Sequence, residues 1–506
     1  YRAIENRLQA YTDQQTYLVT DPIIVAEVSA LATQVVRVSE ASFPKIETAP
    51  ELSPEKLVEM GFTHEVAIHA LDELEKSQAL SKKSERDEKE RRQFLSNFIS
   101  CLQKKSADRD LALQQLVDFT KSIRAKASLF SLLNREPILL NQIATLFGVS
   151  PWAGQTLSSR PELLDAFLLR QDSAPAQSIE HDIAYENLSE RRLLGELLAV
   201  LHFLEDQNLD PYSHNLTSLA DSITQDVMQL VTSEVDGEAL SLFALGKWGG
   251  RELGVRSDLD FVLVSQTTPT DSQHKIARRF LNRLTEAHRG GSIYSVDMRL
   301  RPSGRAGPIL ISRDALFEHL STKAEAWERQ SWLRARCLPP LSLDLNPQTI
   351  VLDRPWTTAD EAQVSDIANQ LFKPISAQQK EIDLKLSHGG LAPIEFAIQA
   401  ALLRNGPWPR ASLDTSTSGM LHFLEGHREQ WRMHGENLSR CYQHLRKVEQ
   451  ALRIAGDRSG SKLPLVGSEV HRIARMMGVE SETLVQELIA TLEESTAILS
   501  RLKEGS

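Results

Sequence analysis

The residues that could do chemistry gather between Gly246 and Arg301 of this 506-residue chain. Asp258 and Asp260 flank Leu259 at the start of an apolar run that continues Phe261-Val262-Leu263-Val264. A strand there, with its two-residue period, puts both carboxylates on one face and Leu259 with Phe261 on the other, towards the core. Two acids so close repel each other and are satisfied together by a shared divalent cation. Hard oxygen ligands suit Mg²⁺, which keeps waters and takes its remaining ligands from substrate phosphates. A third acid, Asp297, falls on the polar face of an alternating stretch from Ile293 to Leu300. It would complete a two-metal site with ions about 3.5–4 Å apart.

Upstream of the twin acids stands Gly246-Lys247-Trp248-Gly249-Gly250-Arg251-Glu252-Leu253, directly after the apolar run Leu240 to Leu245. Gly249-Gly250 allows a sharp turn, and backbone amides at a following helix start can bind phosphate. The candidate phosphate-binding set is Gly246, Lys247, Gly249, Gly250, Ser257, Arg299 and Arg301. Together these parts describe nucleotidyl transfer: a hydroxyl attacks the α-phosphorus of a nucleoside triphosphate in line, and pyrophosphate leaves.

Each part alone has a plainer reading. An Asp-x-Asp is commonly a surface or capping feature, a glycine pair is commonly just a turn, and Arg299 and Arg301 can pair with surface acids. The ordered combination, with a third acid on the matching strand face, is what favours a site. Lys247 does not make a P-loop, because no Ser or Thr follows it and Ser241 stands where that motif has glycine. No His-Glu-x-x-His, Gly-x-Ser-x-Gly or Gly-x-Gly-x-x-Gly occurs, so zinc hydrolase, serine hydrolase and dinucleotide-binding readings lack support.

The elements that must position these residues can be read from periodicity. Leu240–Leu245 and Leu259–Val264 predict buried strands, and 293–300 a half-buried one. His274 to Arg289 predicts a helix, stopped by Gly290-Gly291. Before about residue 235 the pattern is helical without strand signal: Pro54 to Leu80, one amphipathic helix from Asp110 to Leu133, Ile138 to Phe147, Glu190 to Leu204 and Leu216 to Val231. The mixed-charge run Lys82 to Arg92 reads as a solvated helix face. After about residue 313 helices return, at Glu361–Leu371, Pro393–Leu403, Asn437–Ile454 and Ser481–Leu502.

Length predicts several domains, because single cores stop growing at about 250–300 residues. A net charge of −11 argues against a general nucleic-acid binder. The motif region is locally basic, through Lys247, Arg251, Arg256, Arg299, Arg301 and Arg305. No apolar run reaches the roughly 18–20 residues of a membrane helix, so no membrane partner is expected. Three well-separated cysteines read as free thiols in a reducing compartment, and the expected location is cytoplasmic. The chain opens at Tyr1 with no signal pattern, as a fragment or processed end would.

At this point the sequence resembles the glutamine synthetase adenylyltransferase family. The resemblance rests on Gly246 to Leu253 with Ser257-Asp258-Leu259-Asp260, and on Val296-Asp297-Met298-Arg299-Leu300-Arg301-Pro302-Ser303-Gly304. It continues in Ala326-Trp327-Glu328, Arg334-Ala335-Arg336, and Lys385 with Gly389-Gly390 and Ile394-Glu395-Phe396. Upstream, Leu132-Leu133, Phe147 to Trp152 and Arg160 to Leu164 resemble the helical region between the family's two catalytic halves. One half adds AMP and the other removes it by phosphorolysis; this chain looks like the connecting region plus the C-terminal, adenylylating half. The resemblance implies that Asp258, Asp260 and Asp297 are the catalytic and metal-binding acids, with Mg²⁺ or Mn²⁺ as cofactor and ATP as substrate. It implies a tyrosine hydroxyl of glutamine synthetase as acceptor, and a PII-type nitrogen signal protein and glutamine as effectors. Trp248 stands for a usual leucine, and Ala392-Pro393 for a more polar pair; neither change removes a metal ligand.

The expected fold is mixed α and α/β: a small nucleotidyltransferase-type mixed sheet with helices, flanked on both sides by helical bundle regions. The expected domains are 1–105 and 106–235, both helical, a catalytic domain at 236–345, and a helical domain at 346–506. Three other readings stand beside adenylylation. The same site can run phosphorolytic removal of AMP, the chain can be a non-catalytic nucleotide-binding regulatory module, or it can add nucleotides to nucleic-acid ends. The acidic balance and the lack of a basic surface interleaved with aromatics disfavour the last.

Overall fold

The computed structural model describes residues 52–76, 85–105, 108–123, 126–164, 181–288, 290–304, 307–338, 343, 345–376, 379–406, 408, 413–456 and 460–504. The expectations for residues 1 to 51, and for Arg305, lie outside the described residues. The chain divides into two units, residues 1–106 with 123–145, and residues 107–122 with 146–506.

The first unit is helical. Helices α1 (Pro54–Glu59) and α2 (His64–Lys76) replace the single segment expected over 54–80. Gly61, at φ +89°, turns the chain between them. The described part of the charge run opens α3 (Glu85–Lys105), where Glu88 pairs with Arg91 and Arg92. Phe94 of α3 stacks on Phe130 of α5 (Lys126–Arg135) at 4.7 Å and gives this unit an aromatic core.

The long helix expected over 110–133 is two helices, α4 (Arg109–Ser122) and α5. The first ends where hydroxyls turn back on the backbone: Thr120 Oγ1 donates to the Val117 carbonyl and Ser122 Oγ to that of Phe119. Such bonds compete with helix propagation. Then come α6 (Pro137–Val149) and α7 (Pro151–Ser159). Ser150 caps α7 and Pro151 occupies its first turn.

In the second unit, α8 (His181–Asp206) and α9 (Leu209–Val235) form an antiparallel pair. They lead to a mixed sheet of order β3-β2-β1-β5, with β4 also on β2. Strand β1 (Ser241–Ala244) is fully buried, and it pairs antiparallel with β2 (Leu259–Ser265) and β5 (Arg336–Leu338). On its other edge β2 takes two parallel partners, β3 (Val296–Asp297) at its start and β4 (Leu310–Ser312) at its end. Phe261 turns its ring edge to Trp248 and to Phe280 of α11 (Asp271–Thr285). That packing leaves Asp260 on the opposite face.

The half-buried strand expected over 293–300 shrinks to Val296–Asp297. Its pairing ends because the Asp297 carboxylate accepts the Arg299 backbone N–H at 2.9 Å, bending the chain into an Asx-type turn. A single helical turn, α10 (Gly246–Gly249), links β1 to the loop before β2. Beyond the sheet lie α12 (Arg313–Glu318), α13 (Ala326–Trp332), α14 (Pro347–Asp353) and α15 (Thr358–Leu371). An antiparallel pair, β6 (Glu381–Asp383) with β7 (Lys462–Pro464), brackets in the chain α16 (Leu391–Arg404), α17 (Thr417–His427) and α18 (Glu429–Ala455). The chain ends in α19 (Ser468–Met477) and α20 (Ser481–Glu504). A small mixed sheet among helices is the architecture the sequence predicted. No described helix is long and apolar enough to cross a membrane.

Candidate active site

Asp260 and Asp297 are Cα partners across the parallel β2–β3 pair. Register therefore brings two of the three predicted acids side by side, and Asp258 stands one residue before β2 begins. All three line one cleft with Gly246, Lys247, Ser257 and Arg299. The C-terminal region contributes Leu391, Glu395, Glu449 and Arg453 from helices, and Lys385, Gly460 and Ser461 from loops.

Burial is the main cause that pushes the Asp260 carboxyl up to about 7; the charges of Asp297 and Asp258 act in the same direction, while Lys385 and Arg299 oppose them. This is an acid cluster with excess negative charge, an environment that favours a divalent cation. The carboxylates do not form a common cage. Asp297 is held by the Arg299 side chain, with Nε 2.7 Å from Oδ2, and Asp258 accepts a bond from the Ser295 hydroxyl. Among the described residues no three acids, histidines or cysteines converge in a ready-made metal site.

The glycines do different work from one another. Gly246, at φ +53°, lies under the Asp260 carboxylate, where a Cβ would overlap Oδ2. Gly249 packs where a Cβ would strike the carbonyl oxygens of Arg334 and Ala244. Gly250 has an ordinary φ of −75° and is buried. The sharp turn expected at Gly249-Gly250 therefore begins at Gly246. Neither Gly249 nor Gly250 lines the cleft, and both serve as close-packing positions beneath it.

Lys247 reaches across to the buried Glu449 carboxylate of α18. Burial pushes the lysine down to about 8, with Glu449 opposing that fall, while the surrounding cations hold Glu449 well below the usual carboxylate range. Ser257 is buried, and its hydroxyl accepts bonds from the Gly254 N–H and from Arg453 Nη1, both at 3.3 Å. Arg299 lines both the cleft and an adjoining shallow groove, and Arg301 lines the groove alone. Arg301 Nε donates to the Gly304 carbonyl, which shapes the loop that follows β3.

Several residues in and around the cleft carry no chemical signal in the sequence. Trp248, the departure from leucine, is fully buried and donates its indole N–H to Asp221 Oδ1 at 2.7 Å; Arg336 grips both oxygens of that carboxylate. Buried Glu328 accepts the Ser303 N–H and so anchors the loop bearing Arg299 and Arg301. Arg334 bonds Glu252 and Thr417 and lies 3.6 Å from Glu395, while Tyr442 donates to Glu395 at 3.1 Å. Lys385, Glu449 and Arg453 come from distant sequence. The one local signal of Glu449 and Arg453 is charge on an apolar helix face: Arg446, Glu449 and Arg453 fall three and four residues apart among Leu445, Val448 and Leu452.

Residues 191–343 match a family model described as glutamate-ammonia ligase adenylyltransferase, and residues 368–505 one described as GlnD PII-uridylyltransferase. Among curated proteins, the chain is 25% identical over 388 residues to a bifunctional glutamine synthetase adenylyltransferase/adenylyl-removing enzyme of Burkholderia mallei. That match covers 69% of this chain and 42% of the relative. Proteins of the same description from Mesorhizobium japonicum and Neisseria meningitidis serogroup B are 28% and 30% identical. The first match covers 60% of this chain and 35% of that protein, the second 48% and 28%. The matched region thus spans less than half the length of these relatives.

Proposed function

We propose that this chain, whose residues 191–343 form a glutamate-ammonia ligase adenylyltransferase domain, transfers AMP from ATP to a tyrosine hydroxyl of glutamine synthetase. The observation that carries the reading is the gathering of Asp258, Asp260 and Asp297 on one wall of a cleft whose walls also hold Lys247, Arg299 and Lys385. Acids and cations lining one cleft suit a polyphosphate bridged by divalent metal.

Asp258, Asp260 and Asp297 would hold Mg²⁺ or Mn²⁺. The fit rests on their hard oxygen donors and on the raised Asp260 carboxyl, which a nearby divalent cation returns to its charged form. The metal supplies neutralisation of the attacking and leaving oxygens. Lys247, fixed by Glu449, and Arg299 bind the polyphosphate, and Lys385 covers it from the C-terminal region. Asp297, level with Asp260 on the neighbouring strand, orients the incoming hydroxyl and accepts its proton. Trp327, which also lines the cleft, offers an apolar face that excludes water near the base.

The match of residues 368–505 supports a PII-type nitrogen signal protein as regulatory partner. The relatives' bifunctional description keeps a second direction open, phosphorolytic removal of AMP at the same kind of site. One assay separates the two: incubation with α-labelled ATP, Mg²⁺ and unmodified glutamine synthetase. Transfer of label that is lost in Asp260→Ala supports adenylylation. No transfer, with AMP released as ADP from modified glutamine synthetase and phosphate, overturns it in favour of removal.

A further inference from the structure

A second cavity, of about 310 Å³, lies outside the cleft, open to solvent on one side and lined by α15, α16, α18 and α20. Its walls are largely apolar: Phe372 and Phe396 meet edge to face at 5.4 Å beside Trp431, Ala397 and Leu499, while Ser365, Asn369, His388, Thr496 and Ser500 add polar atoms. At one side stand three charges, Glu361, Arg404 and Lys503.

Those charges do not balance. Arg404 grips Glu361 through Nε and Nη2, at 3.0 and 2.8 Å, and the Trp356 indole N–H adds a third donor at 3.0 Å. The carboxylate is thereby satisfied and held below its usual range despite partial burial. Arg404 Nη1 is not engaged in that grip. The Lys503 ammonium, exposed at the rim, adds a second positive charge that also acts on Glu361. A largely apolar chamber with one surplus cation at its edge complements a molecule with an apolar body and an acidic end.

The cavity shares a wall with the cleft. Along α16, Leu391 and Glu395 face the cleft, while Pro393, Phe396 and Ala397 face the cavity. The turn before α16 is pinned to α20, because Gly389, at φ +71°, lies where a Cβ would strike the Leu492 carbonyl oxygen and Thr496. A ligand that displaces Phe396 acts on the residue next to Glu395, which Tyr442 and Arg334 hold in the cleft network.

We propose that this cavity binds a small amphipathic organic anion, an aromatic or branched apolar body bearing one carboxylate or sulfonate, and that its occupancy is coupled through α16 to the cleft. 8-Anilinonaphthalene-1-sulfonate serves as the probe, with fluorescence titrated on the full chain. The expected result is saturable binding at one site, weakened at least 10-fold by Ala397→Trp, which fills the chamber. Lys503→Glu, an exposed change that leaves the fold intact, is expected to weaken it several-fold, and Lys503→Arg to restore it. Binding that does not saturate, or equal affinity in wild type and Lys503→Glu, overturns the site. Mg²⁺-ATP is expected to shift the probe's affinity at least twofold, by reciprocity of coupling. A probe affinity blind to ATP, in a chain that binds ATP by equilibrium dialysis, overturns the link to the cleft. The binding arms hold whichever reaction the cleft performs.

Discussion

The Asp260 carboxylate lies directly over the Cα of Gly246, and the two segments are joined where the Leu245 N–H donates to the Asp260 carbonyl at 2.8 Å. Gly246→Ala is therefore expected to act on the acid and not merely on the turn. The positive φ costs an alanine about 1–2 kcal/mol, and its methyl displaces the carboxylate. A misplacement of about 1 Å is enough to cost roughly 100-fold in rate. Adenylyl transfer should fall by about that factor while circular dichroism stays native. Near-normal transfer in a folded Gly246→Ala would show that Asp260 does not act from the position seen here.

Arg299 occupies Asp297 on both carboxylate oxygens, yet its own side chain is 66% exposed. An exposed pair of this kind is worth about 0–1 kcal/mol, so a divalent cation can compete for the acid. Arg299→Ala should tighten Mn²⁺ binding by a few-fold, roughly the weight of the lost pair, while raising the KM for ATP through loss of a phosphate ligand. Titration of Mn²⁺ by electron paramagnetic resonance reads the first effect, and steady-state kinetics the second. Weaker Mn²⁺ binding in this variant would mean that Arg299 positions Asp297 for metal instead of competing for it.

The central strand pair and its acids were legible because they are local: alternation in 259–264 and a two-residue spacing suffice to place Asp258 and Asp260. Asp297 was legible as a polar-face residue, but its strand was overlong in the reading, since the Asx-type turn onto Arg299 leaves no mark in hydrophobic alternation. The C-terminal wall was hidden for another reason. Glu395, Glu449 and Arg453 reach the cleft only through packing of α16 and α18 against the sheet domain, and no spacing rule encodes that. Gly249 shows the same limit: as a turn residue it is readable, but its packing on the Arg334 carbonyl exists only in three dimensions.

The Lys247–Glu449 pair gives the cleft a pH limit. Burial depresses the Lys247 ammonium to about 8 from its ordinary 10.5, and Glu449 opposes that fall. The lysine is thus charged below about pH 8 and loses its proton as pH rises through that value, so phosphate attraction is lost on the alkaline side. We expect kcat/KM for ATP, which reports the free enzyme, to fall above about pH 8. Lys247→Arg should move that limb upward and beyond pH 9. Glu449→Gln should move it downward, because the acid that supports the ammonium is gone. A limb unchanged in both variants would assign the alkaline loss to another group.

Arg334 is the hub that joins the sheet domain to the C-terminal helices. Arg334, 3% exposed, bonds Glu252, that carboxylate also accepts the Thr417 N–H at 2.8 Å, and the Tyr442 hydroxyl, placed between Glu252 and Glu395, lies 3.2 Å from it. Removing one partner of a buried pair leaves an uncompensated charge and costs about 3–5 kcal/mol. Arg334→Met should therefore lower the urea midpoint markedly, and the buried Trp248 and Trp332 make intrinsic fluorescence a suitable probe of the same region. Replacing both partners removes the stranded charge, so Arg334→Met with Glu252→Leu should be less destabilised than Arg334→Met alone. If instead the two losses simply add, the pair is not the coupling element, and Thr417 and Tyr442 hold the two regions together without it.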